Sequence, residues 1–201
     1  MIKRLLTSFV LSAIILFIIF SYNIWIFSLS IVSICLFSFY EWKKNDFKNN
    51  YFGFLLIFNF GFWSIFYTSI DNSAYVFYGL IILNTACFDT FAYLVGSKFG
   101  KTYIAKDISP NKTLEGFIGG LIVSVSLGCL AGYIFNMYIL IIIFAIGSIS
   151  AFIGDLLISY FKRKSGVKDT GTILPGHGGV LDRVDSHLLA TPLLILIIIM
   201  L

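Results

Sequence analysis

The sequence predicts an all-α integral membrane protein of about seven transmembrane helices, with a polar site on one side of the membrane. Hydrophobic residues make up 59% of the 201 residues, and charged residues only 12%. Soluble domains contain about 25% charged residues, so this composition excludes an ordinary soluble protein. No linker or internal repeat divides the chain. We therefore treat residues 1–201 as a single membrane-embedded domain.

Seven apolar stretches approach the roughly 20 residues that a spanning helix needs, although the first and the last are short. They lie near 5–20, 24–40, 51–67, 74–96, 114–135, 138–160 and 186–201. The N-terminus resembles a signal peptide, but no small-residue cleavage site follows before Ser21, so we expect an uncleaved first helix. The three cysteines lie inside apolar stretches without CxxC spacing, which favours buried thiols over a disulfide or metal site.

The positions of lysine and arginine support this helix count. All fourteen lie at the N-terminus or in the second, fourth and sixth linkers, and the other linkers carry none. A chain that crosses the membrane at every stretch puts all of these segments on one side. Because basic residues stay on the cytoplasmic side, we expect the three long polar linkers to face the cytoplasm. These linkers are Glu41–Asn50, Ser97–Thr113 and Phe161–Asp185.

One stretch, Ser159–Asp185, is far more polar than its surroundings. It contains five of the fourteen basic residues, three carboxylates and a cluster of glycines, between two apolar stretches. A segment of this composition is too costly near a membrane to be a simple connector. It indicates a site for an anionic ligand, and its carboxylates suggest a metal.

Several carboxylates lie at a similar depth near this side of the membrane. Asp89 and Asp155 lie inside predicted helices, roughly 7–11 Å from the cytoplasmic ends at 1.5 Å per residue. Glu115 opens the fifth helix from the same side, and Asp182 and Asp185 lead into the seventh. A carboxyl group that joins two helices by a hydrogen bond is the alternative for any one of them. Because intramembrane carboxylates usually face a site or pathway, several at one depth favour a site.

The residue types around this depth favour magnesium. Hard oxygen ligands with few histidines and no usable thiols point to Mg²⁺ and away from zinc. Asp182 and Asp185 share a helix face if the seventh helix has begun there. Together with Asp155 or Asp89 they suit an ion that bridges phosphates, since Mg²⁺ takes one or two carboxylates plus substrate oxygens.

Positive groups for such phosphates lie in the same stretch. The candidates are Lys162, Arg163, Lys168 and Arg183. Glycines on either side of His177 offer backbone N–H groups that a ligand can approach closely, and we expect His177 to contact a ligand. A headgroup-binding anchor explains residues 162–164 equally well, but it does not explain the interleaved carboxylates and glycines.

A second polar cluster covers residues 109–116. Ser109 is a good cap for the fifth helix, with Pro110 at its first position. Lys112 would then lie in the first turn, where its charge opposes the helix dipole unless an anion compensates it. An ordinary interfacial lysine is the alternative.

These motifs together carry a resemblance. The chain contains, in order, Asp89-x-x-Ala92-Tyr93-x-x-Gly96, Ser109-Pro110-x-Lys112-Thr113-x-Glu115-Gly116, Gly154-Asp155-Leu156, Ser159-x-Phe161-Lys162-Arg163-x4-Lys168-Asp169 and Pro175-x-His177-Gly178-Gly179-x-x-Asp182-Arg183-x-Asp185. This pattern, within residues 89–186, resembles the signature of the bacterial phosphatidate cytidylyltransferase (CDP-diacylglycerol synthase) family. Asn111 and Leu114 depart from it, because the family commonly has Lys and Trp there. The chain is also short for the family.

The resemblance implies a nucleotidyltransferase of phospholipid biosynthesis. Such an enzyme transfers CMP from CTP to phosphatidic acid and releases CDP-diacylglycerol and pyrophosphate. The resemblance implies Mg²⁺ as cofactor, with a second, monovalent cation as a further expectation. It also implies a homodimer in the plasma (inner) membrane that crosses it several times, has its active site towards the cytoplasm and binds no nucleic acid.

The resemblance also implies roles for the residues at the matching positions. The expected catalytic residues are Asp155, Lys162, Arg163, Lys168, Asp182, Arg183 and Asp185. The expected substrate-binding residues are Ser109, Lys112, Thr113, Ser159, Asp169, His177, Gly178 and Gly179. The expected metal ligands are Asp89, Asp155, Asp182 and Asp185.

Other functions stay open at this point. A polyprenol or phytol kinase, or a cytidylyltransferase for a different lipid phosphate, would also use CTP at a membrane. Product analysis separates the first of these, since a kinase releases CDP and a cytidylyltransferase releases pyrophosphate. A transporter would distribute its ionisable residues through the depth of the membrane, whereas those here cluster on one side.

Overall fold

All regular secondary structure in the described part of the chain is helical. The computed structural model describes residues 2–174, 176 and 178–201, and the side chains from residue 7 onward. The helices are α1 (Ile2–Phe20), α2 (Ile24–Lys44), α3 (Asn50–Thr68), α4 (Ser73–Phe99), α5 (Leu114–Phe135), α6 (Leu140–Lys164), α7 (Leu181–Val184) and α8 (His187–Met200).

Six helical segments among the described residues are long and apolar enough to cross a membrane. Five are the helices α2 to α6, and the sixth, Leu181–Met200, joins α7 and α8. The described part of α1, Thr7–Phe20, is apolar but shorter. The prediction of a multi-pass, all-α membrane protein with about seven helices is confirmed, with α7 and α8 counted as one.

The predicted linkers differ from the observed ones mainly because helices extend beyond their apolar parts. α6 continues through its three basic residues to Lys164, and α2 continues to Lys44. Cations in the last turn of a helix interact favourably with its dipole, which supports these extensions. The basic residues therefore begin on helix ends rather than in loops.

The three polar linkers meet at one end of the helices, as the alternating path predicts. The Asn45 side chain, after α2, donates a hydrogen bond to the Thr170 carbonyl at 2.7 Å. The Arg163 Nε, at the end of α6, donates to the Ile108 carbonyl of the α4–α5 linker at 3.1 Å. Each linker thus contacts a segment that is distant in sequence.

The fifth helix begins four residues later than the predicted cap. Thr113 is its N-cap, and the Thr113 Oγ1 accepts a hydrogen bond from the Gly116 N–H at 3.2 Å. The prediction that Ser109 caps this helix is therefore wrong. The backbone on either side of Thr113 pairs with residues 102–104 instead, since the Ile104 N–H donates to the Lys112 carbonyl and the Leu114 N–H donates to the Thr102 carbonyl. That extended pairing excludes a helix there.

Small residues at four-residue intervals line the buried face of α5. They are Gly116, Gly120, Ser124, Gly128 and Gly132. A side chain at Gly116 would collide with the carbonyl of Ala92 on α4, and one at Gly128 would collide with the backbone at Ile141 on α6. Small residues allow helices to pack at close range in a membrane. α5 is therefore held close to both neighbours.

An aromatic cluster joins the ends of α2 and α6 just below the polar linkers. The ring of Trp42, which is fully buried, lies 5.2 Å from the Phe47 ring and 4.9 Å from the Phe161 ring. Aromatic pairs in such geometries contribute about 0.5–1.5 kcal/mol beyond the area that they bury. The cluster fixes the relative height of the residues next to it, Glu41 and Lys162.

The close packing of α5 predicts a clear difference between two neighbouring substitutions. We expect Gly128→Val to lower the thermal unfolding temperature in detergent, because overpacking costs about 1–3 kcal/mol and the Ile141 backbone has little room to move. The control is Cys129→Val, since Cys129 is exposed, contrary to the expectation of buried thiols. Equal unfolding temperatures for the two variants would contradict the packing described for α5.

Candidate active site

A cavity of about 340 Å³ lies where the polar linkers meet the helix ends. Its acidic lining residues are Asp89, Asp155, Asp169, Asp182 and Asp185, and its basic ones are Lys112, Lys162 and Arg183. Ser109 and Thr113 also line it. The structure therefore brings together most of the candidate residues, although they are spread over almost a hundred positions of sequence.

The ammonium group of Lys162 lies between two of the aspartates. Its Nζ is 2.9 Å from Asp182 Oδ1 and 3.9 Å from Asp185 Oδ2, and only 8% of Lys162 is exposed. The single turn of α7 places both carboxylates towards the lysine, as their three-residue spacing predicts. A buried charge needs such partners, because an unpaired one costs several kcal/mol.

Lys112 makes the second ion pair of the cavity. Its Nζ is 2.7 Å from Asp155 Oδ2 and lies over the ring of Phe152, 4.5 Å from the centroid. Ser159 donates a hydrogen bond to the other Asp155 oxygen at 3.1 Å. Asp155 is thus the anion that compensates the lysine before the α5 N-cap, and the alternative of an ordinary interfacial lysine is wrong.

Ser186 connects Asp89 to Asp185. Its hydroxyl donates to Asp89 Oδ2 at 3.0 Å, and its backbone N–H donates to Asp185 Oδ1 at 2.9 Å. This links α4 to the turn between α7 and α8. The sequence reasoning missed Ser186, since a single serine at a helix start carries no pattern that distinguishes it from a cap.

The second oxygen of Asp182 organises the loop before α7. It accepts hydrogen bonds from the backbone N–H groups of Thr170, at 2.8 Å, and Gly179, at 3.0 Å. With Lys162 on its other oxygen, this carboxylate has three donors. The Gly179 N–H, predicted as a ligand contact, is therefore used within the protein.

The other predicted residues lie around the cavity rather than in its lining. Arg163 donates to the carbonyls of Ile108 and Val167 and so fastens two linkers together. Lys168 is exposed, and Gly178 has φ +82°, a left-handed conformation that favours glycine. The prediction for His177 lies outside the described residues.

The donor set fits a hard divalent cation that completes its coordination with substrate oxygens. Five carboxylates face three basic side chains, which leaves an excess of acidic groups. No group of three metal-ligating side chains is already assembled among the residues that the structure describes. Asp182 is committed to its three donors, so Asp89, Asp155 and Asp185 are the better candidates. Mg²⁺ often binds through few carboxylates together with phosphates.

Sequence reasoning also missed a buried carboxylate behind the site. Glu41, at the end of α2, is 1% exposed and bonds to the loop that carries Gly179. It stood at the edge of a predicted linker, where a glutamate is expected to face water. The sequence did carry a signal for Glu41, because this carboxylate lies between apolar residues and at the depth of the other acidic residues.

Fold and site together define a multi-pass membrane protein with a charged cavity at the end where its polar linkers meet. The sequence model described as "Cytidylyltransferase family" matches residues 43–201. This match covers most of the chain, and the chain therefore belongs to the cytidylyltransferase family.

Several bacterial proteins are similar to this chain over most of its length. Proteins named phosphatidate cytidylyltransferase from Staphylococcus haemolyticus and Staphylococcus aureus are 43% identical to it over 143 residues. The protein of that name from Staphylococcus epidermidis is 38% identical. Each alignment covers 69% of this chain and 54% of the relative. The chain thus spans about half the length of the curated relatives it matches.

The ion pairs predict unequal effects of two aspartate substitutions on stability. We expect Asp182→Asn to lower the thermal unfolding temperature strongly, because breaking a buried pair costs about 3–5 kcal/mol. Asp155→Asn should cost less, because the side chains of that pair are 17% and 26% exposed and therefore remain partly solvated. Thermal unfolding in detergent, followed by tryptophan fluorescence, measures both. A larger loss in Asp155→Asn would contradict this assignment.

Proposed function

We propose that this protein transfers CMP from CTP to phosphatidic acid and forms CDP-diacylglycerol and pyrophosphate. The observation that supports this most is the cavity, in which charged residues from all five sequence motifs converge. Membership of the cytidylyltransferase family and the similarity to proteins named phosphatidate cytidylyltransferase agree with it. Such a cavity has basic groups for a triphosphate and lies beside the lipid that would carry the acceptor.

The acceptor needs no dedicated base in this reaction. A phosphate monoester is largely dianionic at neutral pH, since its second pKa is about 6. One of its oxygens attacks the α-phosphorus of CTP, and the bond from that phosphorus to the pyrophosphate oxygen breaks. The protein then contributes position and charge neutralisation, as in other phosphoryl transfers.

Three basic side chains would neutralise the phosphates in the cavity: Lys112, Lys162 and Arg183. Two of them are paired with carboxylates, so the phosphates would compete for ammonium groups that are already held in place. Arg163 and Lys168 are exposed and do not line the cavity, so their predicted catalytic role is not part of this proposal. Ammonium groups that are already fixed by ion pairs need little reorganisation when the reaction occurs.

Mg²⁺ is the cofactor that we propose for this site. Asp89, Asp155 and Asp185 would hold it, and Asp182 would fix the loop behind it. When bound, the ion would supply positive charge that offsets the charge of the phosphates. The second, monovalent cation and the homodimer stay predictions.

We further propose that the cavity faces the cytoplasm of a bacterial cell from its plasma membrane. The support is the placement of lysine and arginine in the linkers that meet at this end. Cytoplasmic CTP would then reach the cavity directly, while phosphatidic acid would arrive from the membrane.

A transfer assay tests the proposed function. Purified protein in detergent is incubated with phosphatidic acid, Mg²⁺ and CTP labelled at the α-phosphate, and the label in the lipid fraction is followed. We expect label in lipid only when both phosphatidic acid and Mg²⁺ are present. Label recovered as CDP would support a lipid kinase instead, and intact CTP would exclude phosphatidic acid as the acceptor.

The role of Lys112 predicts a second result in the same assay. We expect Lys112→Met to lower the transfer rate by about 10²–10³-fold, the usual loss for one donor that stabilises transition-state charge. The matched control is Lys106→Met, because Lys106 lies in the same linker, is exposed and does not line the cavity. An equal loss in both variants would mean that only the net charge of the linker matters.

A further inference from the structure

Glu41 is an unusual group to find at the end of α2. It is 1% exposed, and in the described structure no lysine or arginine forms a salt bridge with it. It does not line the cavity, so it would touch neither substrate nor metal. A buried carboxylate is costly unless donors satisfy it. The reason for its presence must therefore lie in the groups around it.

Three donors from the loop before α7 converge on the Glu41 carboxylate. Oε1 accepts from the Val180 N–H at 3.0 Å. Oε2 accepts from the Leu181 N–H at 2.8 Å and from the Thr170 hydroxyl at 2.8 Å. All three partners donate, and each finds an acceptor in one of the two carboxylate oxygens, which can only accept.

The loop is also shaped around this carboxylate. A Cβ atom at Gly171 or at Gly179 would collide with the Glu41 carboxylate oxygens, so no larger residue fits at either position without a shift. Asn45, one turn further on, donates to the Thr170 carbonyl. The end of α2 therefore holds Thr170 by its hydroxyl and by its carbonyl.

Glu41 and Asp182 both accept hydrogen bonds from the same two segments of the chain, at Thr170 and at residues 179–181. Asp182 accepts from the backbone of Thr170 and Gly179, and Glu41 accepts from the Thr170 hydroxyl and from the next two amides, Val180 and Leu181. Those amides lead directly into α7, which carries Asp182 and stands before Asp185. A shift of the loop would therefore move both carboxylates away from Lys162.

We propose that Glu41 is a positioning residue, which fixes the loop of residues 170–181 so that Asp182 and Asp185 stand against Lys162 in the cavity. This inference rests on the proposed function and adds to it a residue outside the motifs of the sequence. Its effect is on the placement of catalytic groups, because Glu41 itself stays behind the loop.

The test compares Glu41→Gln with matched variants. Glutamine keeps the shape but replaces one acceptor oxygen by an NH₂ group, so at least one loop N–H would face another donor. We expect kcat to fall by about 10–100-fold, since small misplacements at a reacting centre cost that much, while KM for CTP changes little. Thr170→Val should reproduce part of the loss in kcat. Thr170→Ser, which keeps the hydroxyl, should retain most of the wild-type kcat.

Ser38→Ala is the control on the same helix. Ser38 lies one turn before Glu41 and is fully buried, and no described residue accepts or donates a hydrogen bond at its hydroxyl. We expect wild-type kcat for this variant. If Ser38→Ala lost as much rate as Glu41→Gln, or if folded Glu41→Gln kept wild-type kcat, the positioning role would be overturned.

A measurement without substrate separates this inference from the proposed function. Hydrogen exchange at the Val180 and Leu181 amides should become at least about tenfold faster in Glu41→Gln and stay unchanged in Ser38→Ala. Wild-type protein that transfers no label from CTP would overturn the proposed function alone. Unchanged amide exchange in Glu41→Gln would overturn the positioning role, whatever the transfer assay shows.

Discussion

The ion pairs of Lys162 are the interaction on which the rest of the site depends. A buried ammonium group at a membrane surface is tolerated only with close counter-charges, and both of its partners lie on or next to a helix of a single turn. Such a short helix has little stability of its own. The pairing therefore ties α7 to α6, and it also determines the position of the loop that leads into α7.

The packing of the long helices places the second half of the site at the same depth. α5 approaches α4 and α6 closely because its buried face consists of small residues, and this brings Lys112 within reach of Asp155 on α6. Asp89 on α4 then reaches the α7–α8 turn through Ser186. Each carboxylate inside the helices therefore has a partner on a different segment of the chain. This arrangement is the one that satisfies buried charges and still leaves a cavity between them.

The sequence predicted the fold well because a membrane imposes few structural choices. Spanning segments must be apolar helices, so the number of helices could be predicted. The basic residues indicate which linkers share a side of the membrane, so the meeting of the three polar linkers could be predicted as well. The site was predicted through residues whose charge is expensive there, such as Asp89 and Asp155. Ser109 was misplaced as a cap because its loop pairs with residues 102–104, a contact between segments that no local pattern shows. Glu41 was missed for the same reason, since its donors lie more than a hundred residues away.

The buried carboxylates of Asp182 and Glu41 hold the loop of residues 170–181 in two different ways. Asp182 joins the loop to a lysine inside the cavity, so a ligand that attracts Lys162 would also act on the loop. Glu41 joins the loop to α2, whose end packs against Phe161 through the Trp42 ring and does not line the cavity. One contact can therefore respond to substrate while the other keeps the backbone in place. A loop held only by Asp182 would be free to move whenever phosphates compete for the lysine.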